Sequence, residues 1–247
     1  LIDYAKANPG KVSYATSGVG TGNHLSGELI NLLAGIDMTH VPFKTGAQAL
    51  TSVVGGQLPV AFAILATATP LLKAGKAVIS HTANILQYLG PRLGLVPKAE
   101  AARLYAHGLQ LTITDFVREA HDVHHPIANS LYYEDQKSEA LRRAGHFRNE
   151  RLTKFTNYFE TVIARGGGRY LLGKSLSYVD LSMFQVMASL NYAFPESMAG
   201  LRDKIARLNA LHDLVAARPR IARYIASPAR LPFSTHDLMR HYPELDA

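Results

Sequence analysis

The hydrophobic pattern changes period once along the chain. Up to about Ala77, short β-prone runs alternate with amphipathic stretches; from about Val78 only helical spacing remains. In the first part, VSYATSG (Val12–Gly18), MTHVPF (Met38–Phe43) and PVAFAIL (59–65) predict three strands. Between the first two, Leu25, Leu29, Leu32 and Leu33 share one helical face. GAQALTSVVGG predicts a second helix closed by Gly55 and Gly56, and PLLKAGK (70–76) a third helical turn. Strands alternating with helices imply a parallel sheet built from βαβ units.

Beyond Val78 the strand signals stop. SHTANILQYLG (Ser80–Gly90) predicts a helix stopped by Gly90–Pro91, and Ala99–His125 a long one broken by Pro126. A further helix covers 132–168 and ends in three glycines. The stretch Ser177–Tyr192 opens on a capping box, Ser177 with Asp180 three positions on. Two more helices follow, from Leu201 to about Ala216 and over Ala217–Ser227. The whole second part, 78–247, is expected to be an all-α bundle. No Pro, Ser or Gly linker separates it from 1–77, so the seam at Lys76–Val78 reads as the joining of two unrelated coding segments.

Composition narrows the class. At 247 residues and 47% hydrophobic, the chain is long enough for one large core or two small ones. Without cysteine it has no disulfide framework, thiolate zinc site or cysteine nucleophile. No signal peptide is visible, and the longest apolar run, Leu58–Leu72, is too short to span a bilayer. A soluble protein with no membrane insertion is therefore expected. The net charge of +7 gathers around Ala140–Phe155, alternating with apolar positions, as on a solvated helix face. No nucleic-acid motif accompanies it, so no nucleic-acid partner is expected.

Candidate chemistry begins with SGVGTGNH, between a predicted strand and a predicted helix. Parallel sheets bind ligands where strand C-termini meet helix N-termini, whose amides favour an anion. The spacing is not G-x-G-x-x-G, because position 23 is Asn, and no P-loop lysine follows. A Gly-rich turn without a ligand is an equal reading. His121, His124 and His125 fall at i, i+3 and i+4 with Asp122 beside them. Three imidazoles on one helix rarely converge on one ion without another segment, and H-E-x-x-H is absent, so no metal is expected. Tyr132, Tyr133 and Tyr192 read as core or rim aromatics. No G-x-S-x-G elbow anchors a serine triad.

KANPGK, SGVGTGNHLSGE, HVPFKTGAQAL and GGQLPVAF occur in the order and spacing of the Bug proteins, the periplasmic solute receptors of tripartite tricarboxylate transporters. Residues 1–77 resemble the middle of that family. The resemblance implies an α/β fragment (βαβαβα, part of a periplasmic-binding-protein lobe). It also implies a ligand carboxylate held by Ser17, Gly18, Gly20, Thr21, Gly46, Ala47 and Gln48. The family's first lobe and the return strands of its second have no counterpart. One partial lobe is expected to bind a carboxylate weakly or not at all.

ISHTANILQYLG resembles the last helix of the thioredoxin-like domain of glutathione S-transferases. GRYLLGKSLSYVDLSMFQV matches their N-capping box and hydrophobic staple, and ARPRIARYIAS their final core helix. The resemblance covers about Ile79 to Ala247. It implies a small-molecule ligand, glutathione as co-substrate, and a homodimer. His81 and Thr82 stand where that family holds the γ-glutamyl carboxylate, and Asp122 or Glu119 could reach the glutathione amine of a neighbouring subunit. Leu104, Gly108, Leu111, Thr112 and Asp115 would line the hydrophobic substrate pocket. The family's thiol-activating residue lies in the region replaced here, so the catalytic residue is unknown and conjugation is expected to be impaired. Val41–Pro42 and Leu58–Pro59 are spaced wrongly for its glutathione-binding proline. A cytoplasmic location follows, or a periplasmic one if the receptor-like segment once followed a signal peptide. The rival expectations are a carboxylate-binding receptor fragment and a non-functional fusion product.

Overall fold

The computed structural model describes residues 1–63, 79–228, 230–235 and 238–247. They divide into two compact units, Leu1–Leu93 and Gly94–Ala247. The predicted third strand beyond Ala63, the helical turn 70–76 and the seam at Lys76–Val78 lie outside the described residues.

In the first unit, β1 (Val12–Thr16), β2 (Met38–Pro42) and β3 (Val60–Ala61) form a sheet in the order β2-β1-β3, with every pair parallel. Helices α1 (Ile2–Ala7), α2 (Gly22–Ala34), α3 (Gly46–Val54) and α4 (Thr82–Arg92) surround it in sequence. The central strand carries Tyr14, Ala15 and Thr16, all with no exposed surface, as a strand covered on both faces requires.

Helix α2 does not bury its leucine face most deeply. Its buried positions are Gly27, Ile30 and Ala34, while Leu25 is 48% exposed. The reason is Tyr14: a Cβ on Gly27 would collide with its ring. Only a glycine lets the helix lie this close, and the approach places the Tyr14 hydroxyl 2.6 Å from Glu28 Oε1.

Helix α4 belongs to the first unit. Ile85, Leu89 and Leu93 pack on the cluster of Val12, Tyr14, Ile30, Met38 and Phe62. The compositional seam near residue 77 and the compact boundary at 93/94 are thus different places. The predicted stop at Gly90–Pro91 is also passed, since α4 runs to Arg92. Pro91 sits in the last turn, where its missing N–H forgoes one bond, to the Gln87 carbonyl, just before the helix ends.

The second unit holds α5 (Glu100–His121), α6 (Lys137–His146), α7 (Thr153–Arg165), α8 (Tyr178–Ala193), α9 (Pro195–Leu201), α10 (Ala206–Ala216), α11 (Pro219–Ile225) and α12 (Pro243–Asp246). A π-helical stretch, Phe147–Leu152, makes α6 and α7 one continuous run. Helix α8 is the axis of the bundle and packs against α5, α9 and α10. Its start is fixed by Asp180, which accepts from the Ser177 amide and hydroxyl, both at 2.6 Å, and from the Leu171 amide at 2.7 Å. Burial raises the Asp180 carboxyl above its ordinary range, and these hydrogen bonds oppose that rise. Gly168 precedes α8 in the chain, and a side chain there would strike the backbone of Gly173. The architecture is an α/β fragment followed by an all-α bundle. Among the described residues no helix is long and apolar enough to cross a membrane.

Candidate functional site

Four candidate surfaces follow from the two units. The first is the edge of the sheet where β1 and β2 end. Phe43 N donates to Thr16 O at 2.9 Å, which draws the loops after both strands together. Ser17, Gly18, Gly20 and Thr21 lie in one loop, and Gly46, Ala47 and Gln48 open α3 from the other. Much of this edge is already engaged. The Gly18 amide donates to Thr16 Oγ1 at 3.1 Å, and the Gly20 amide to His24 Nδ1 at 3.1 Å. Thr21 and Thr45 cap α2 and α3 by accepting from the His24 and Gln48 amides.

Behind that edge stands a pair the sequence reading missed. The rings of His24 and His40 stack with centroids 4.0 Å apart, and His40 Nε2 lies 2.7 Å from Thr16 Oγ1. Burial, then the neighbouring His24, lower the His40 imidazole from its usual value, against a raising effect of Glu28. The only advance signal was a histidine in each of the two motifs that flank the edge, GNH and THV.

The start of α4 carries His81 and Thr82, both exposed. His81 has φ 65° and ψ 129°, the one non-glycine positive φ among the described residues. Such a backbone is strained. No side chain caps the helix it precedes.

On α5, Leu104, Gly108, Leu111, Thr112 and Asp115 form one stripe, as their spacing requires. Leu104 is 61% and Leu111 47% exposed, and a Cβ on Gly108 would meet nothing within 4 Å. Thr112 Oγ1 donates back to Gly108 O at 3.1 Å. The stripe is exposed, apolar at Leu104 and Leu111 and polar at Thr112 and Asp115, with an open step at Gly108.

The long helix predicted to His125 ends at His121, and 122–124 follow in a turn. That shift gathers the three imidazoles, whose nitrogens lie within 4.8 Å of one another. His124 Nε2 lies 3.1 Å from Leu238 O, and its Nδ1 faces His125 Nδ1. Burial drives His124 down to about 3, and it also lowers His125; the charge of Arg240 acts on both in the same direction. Asp122 turns one oxygen to His121 Nδ1 at 3.2 Å and the other to Arg118 Nε at 3.3 Å. Glu119 is held by Arg151 in a two-pronged pair at 2.6 and 2.7 Å. Of the candidates for glutathione, His81 and Thr82 are in the first unit and Asp122 in the second. Tyr133 is buried and Tyr132 is 79% exposed.

Comparison with known proteins matches the two parts separately. Residues 1–85 match the tripartite tricarboxylate transporter family receptor, and residues 121–228 the glutathione S-transferase C-terminal domain. The first match runs past Ala77 into the first turn of α4. A glutathione S-transferase of Plasmodium yoelii yoelii is 22% identical over 158 residues, which are 64% of this chain and 67% of that protein. A UPF0065 protein of Bordetella pertussis is 34% identical over 76 residues, 31% of this chain; the chain spans about a quarter (24%) of that relative. Among solved structures, the Pi-class glutathione S-transferase of Onchocerca volvulus aligns with TM-score 0.60 at 18% identity, covering 86% of this chain and 91% of that one. The prostaglandin synthase D of Nilaparvata lugens aligns with TM-score 0.60 at 15% identity, covering 89% and 98%. These structures are alike in fold. The chain thus carries, in order, a segment matching the tricarboxylate receptor family and a segment matching the glutathione S-transferase C-terminal domain.

Proposed function

We propose that the protein is a glutathione-transferase-like ligand binder with impaired conjugating activity. Its bundle offers a surface for apolar compounds, and a remnant of the glutathione site persists at the start of α4. The observation that carries this reading is His81. A strained residue directly before an uncapped, exposed helix start leaves the first amides of α4 open to a carboxylate, such as the γ-glutamyl end of glutathione. The exposed leucines of the α5 stripe, Leu104 and Leu111, support the acceptor side.

The commitment of several of the first unit's hydroxyls supports impaired conjugation. Ionising a bound thiol needs a hydroxyl aimed at the sulfur. Tyr14 spends its hydroxyl on Glu28, Thr16 faces His40 and Gly18, Thr21 and Thr45 cap helices, and Ser52 donates to Ala49 O. The test is calorimetry with glutathione, together with conjugation of an aromatic chloride. Glutathione binding with turnover at background is expected. Robust turnover would sink the proposal, because an activator would then exist.

A second reading, a carboxylate receptor, is favoured by one observation. The exposed start of α3 at Ala47 and Gln48 belongs to a loop that runs close beside Gly18. Calorimetry with citrate tests it. Citrate binding without glutathione binding would replace the first reading with this one; binding of neither would remove both.

A further inference from the structure

We infer that His121, His124 and His125, with Asp122 behind His121, form a site for one borderline divalent metal ion, Zn2+ being the fitting example. The sequence alone argued against this, because three imidazoles on a single helix face diverge. The structure removes that objection: α5 stops at His121 and the chain turns, so one nitrogen from each ring falls within 4.8 Å of the others. Zn2+ held at about 2.0–2.1 Å by tetrahedral nitrogens keeps them roughly 3.4 Å apart. Modest ring rotation closes the difference.

The hydrogen bonds around the rings prepare two lone pairs. A donor bond from His121 Nδ1 to Asp122 leaves His121 Nε2 free to ligate. A donor bond from His124 Nε2 to Leu238 O leaves His124 Nδ1, which points at His125 Nδ1. Carboxylate or carbonyl behind a ligating imidazole is the arrangement that fixes the tautomer at metal sites. Without an ion these two facing nitrogens share a proton; a metal ion would displace that proton and part the two rings to ligating distance. The donor set is all nitrogen, with no thiolate, and selects the borderline ions over Mg2+ or Ca2+. His124 and His125 are buried, whereas the His121 side chain keeps 18% of its surface exposed and opens an entry path. Arg240 opposes a dication here, and Asp122 supplies the offsetting charge.

The test uses the whole chain, stripped with a chelator and titrated with Co2+ for its visible bands and with Zn2+ against a chromophoric chelator. One equivalent bound is expected, with a Tm that rises on adding Zn2+. His121→Ala should weaken binding at least tenfold, and Asp122→Asn about ten- to a hundredfold. Neither residue is in the buried core, so both variants should keep the helical circular dichroism of the parent. His146→Ala and His212→Ala should bind as the parent does. Failure of the folded parent to retain an ion, or parent-like affinity in both His121→Ala and Asp122→Asn, would overturn the assignment. So would loss of binding in His146→Ala, which would place the ion elsewhere.

Discussion

The Asp246 carboxylate accepts a hydrogen bond of 2.6 Å from the backbone amide of Glu196, fifty positions earlier. It also takes the Ser197 amide at 3.2 Å and the Ser197 hydroxyl. Helix α9 begins with Pro195 and has no capping side chain of its own. Asp246 supplies the cap from a distant segment, and its negative charge suits the helix's positive end. Asp246→Ala should therefore cost the bundle about 1–2 kcal/mol. Urea denaturation followed by circular dichroism measures it. A midpoint equal to the parent's would show that water replaces the cap.

Gly27 sits against the Tyr14 ring with no room for a Cβ. Because Tyr14 is fully buried and tied to Glu28, the ring has little freedom to retreat. Gly27→Ala should destabilise the first unit by about 1–3 kcal/mol through overpacking, even though alanine favours helix. Hydrogen exchange at β1 amides reads the first unit separately from the bundle. Protection equal to the parent's would count against the close approach.

In the second unit, Asp180 satisfies three donors at once, including the buried Leu171 amide. Asp180→Ala orphans all three and should cost about 3 kcal/mol. Asp180→Asn keeps two acceptor geometries and should lose less. Calorimetric melting compares the two; equal losses would mean that charge, not hydrogen-bond geometry, holds the start of α8.

How far these features were legible depends on how local they are. The strand segments and the Ser177–Asp180 box are marked by residues a few positions apart, and sequence spacing predicts them; the parallel pairing itself joins residues 26 and 46 positions apart. The α2 face did not follow from spacing, because the leucine stripe is the more hydrophobic one. The single atom-scale fact that reverses it, Tyr14 against Gly27, is tertiary. Likewise Pro126 was read as the end of a helix through His125, whereas α5 stops at His121. The Asp246 cap and the Leu238 carbonyl on His124 reach across 50 and 114 positions, and no short-range pattern announces them.

Acid should weaken the bundle through His124. Its imidazole falls from 6.5 to about 3 because burial penalises the charged form, with Arg240, His121 and His125 adding repulsion. Asp122 faces His121 from the same turn. Above pH 6.5 the ring is neutral in both folded and unfolded chains, so it contributes no slope. Between 6.5 and about 3 the unfolded chain takes up a proton that the folded chain refuses. Stability should then fall with pH, approaching about 1.4 kcal/mol per pH unit. Denaturation midpoints at stepped pH, with chelator present, measure the slope. His124→Gln should flatten it; a slope unchanged in that variant would assign the acid sensitivity to other groups.

The exposed stripe on α5 allows binding and stability to be separated. Leu104 is 61% and Leu111 47% exposed, so replacing either with Glu should change stability by no more than about 0.5 kcal/mol. Gly108 has open space around its Cβ and lies inside a helix, so Gly108→Ala should stabilise the bundle by about 0.5–1 kcal/mol. If the stripe receives apolar compounds, Leu111→Glu removes one wall of that surface and adds a charge whose desolvation opposes binding. Affinity for a hydrophobic fluorescent dye should drop at least fivefold in Leu111→Glu, with melting unchanged. Parent-like dye affinity in both Leu104→Glu and Leu111→Glu would move the apolar binding surface off this helix and leave the acceptor half of the proposed function without a location.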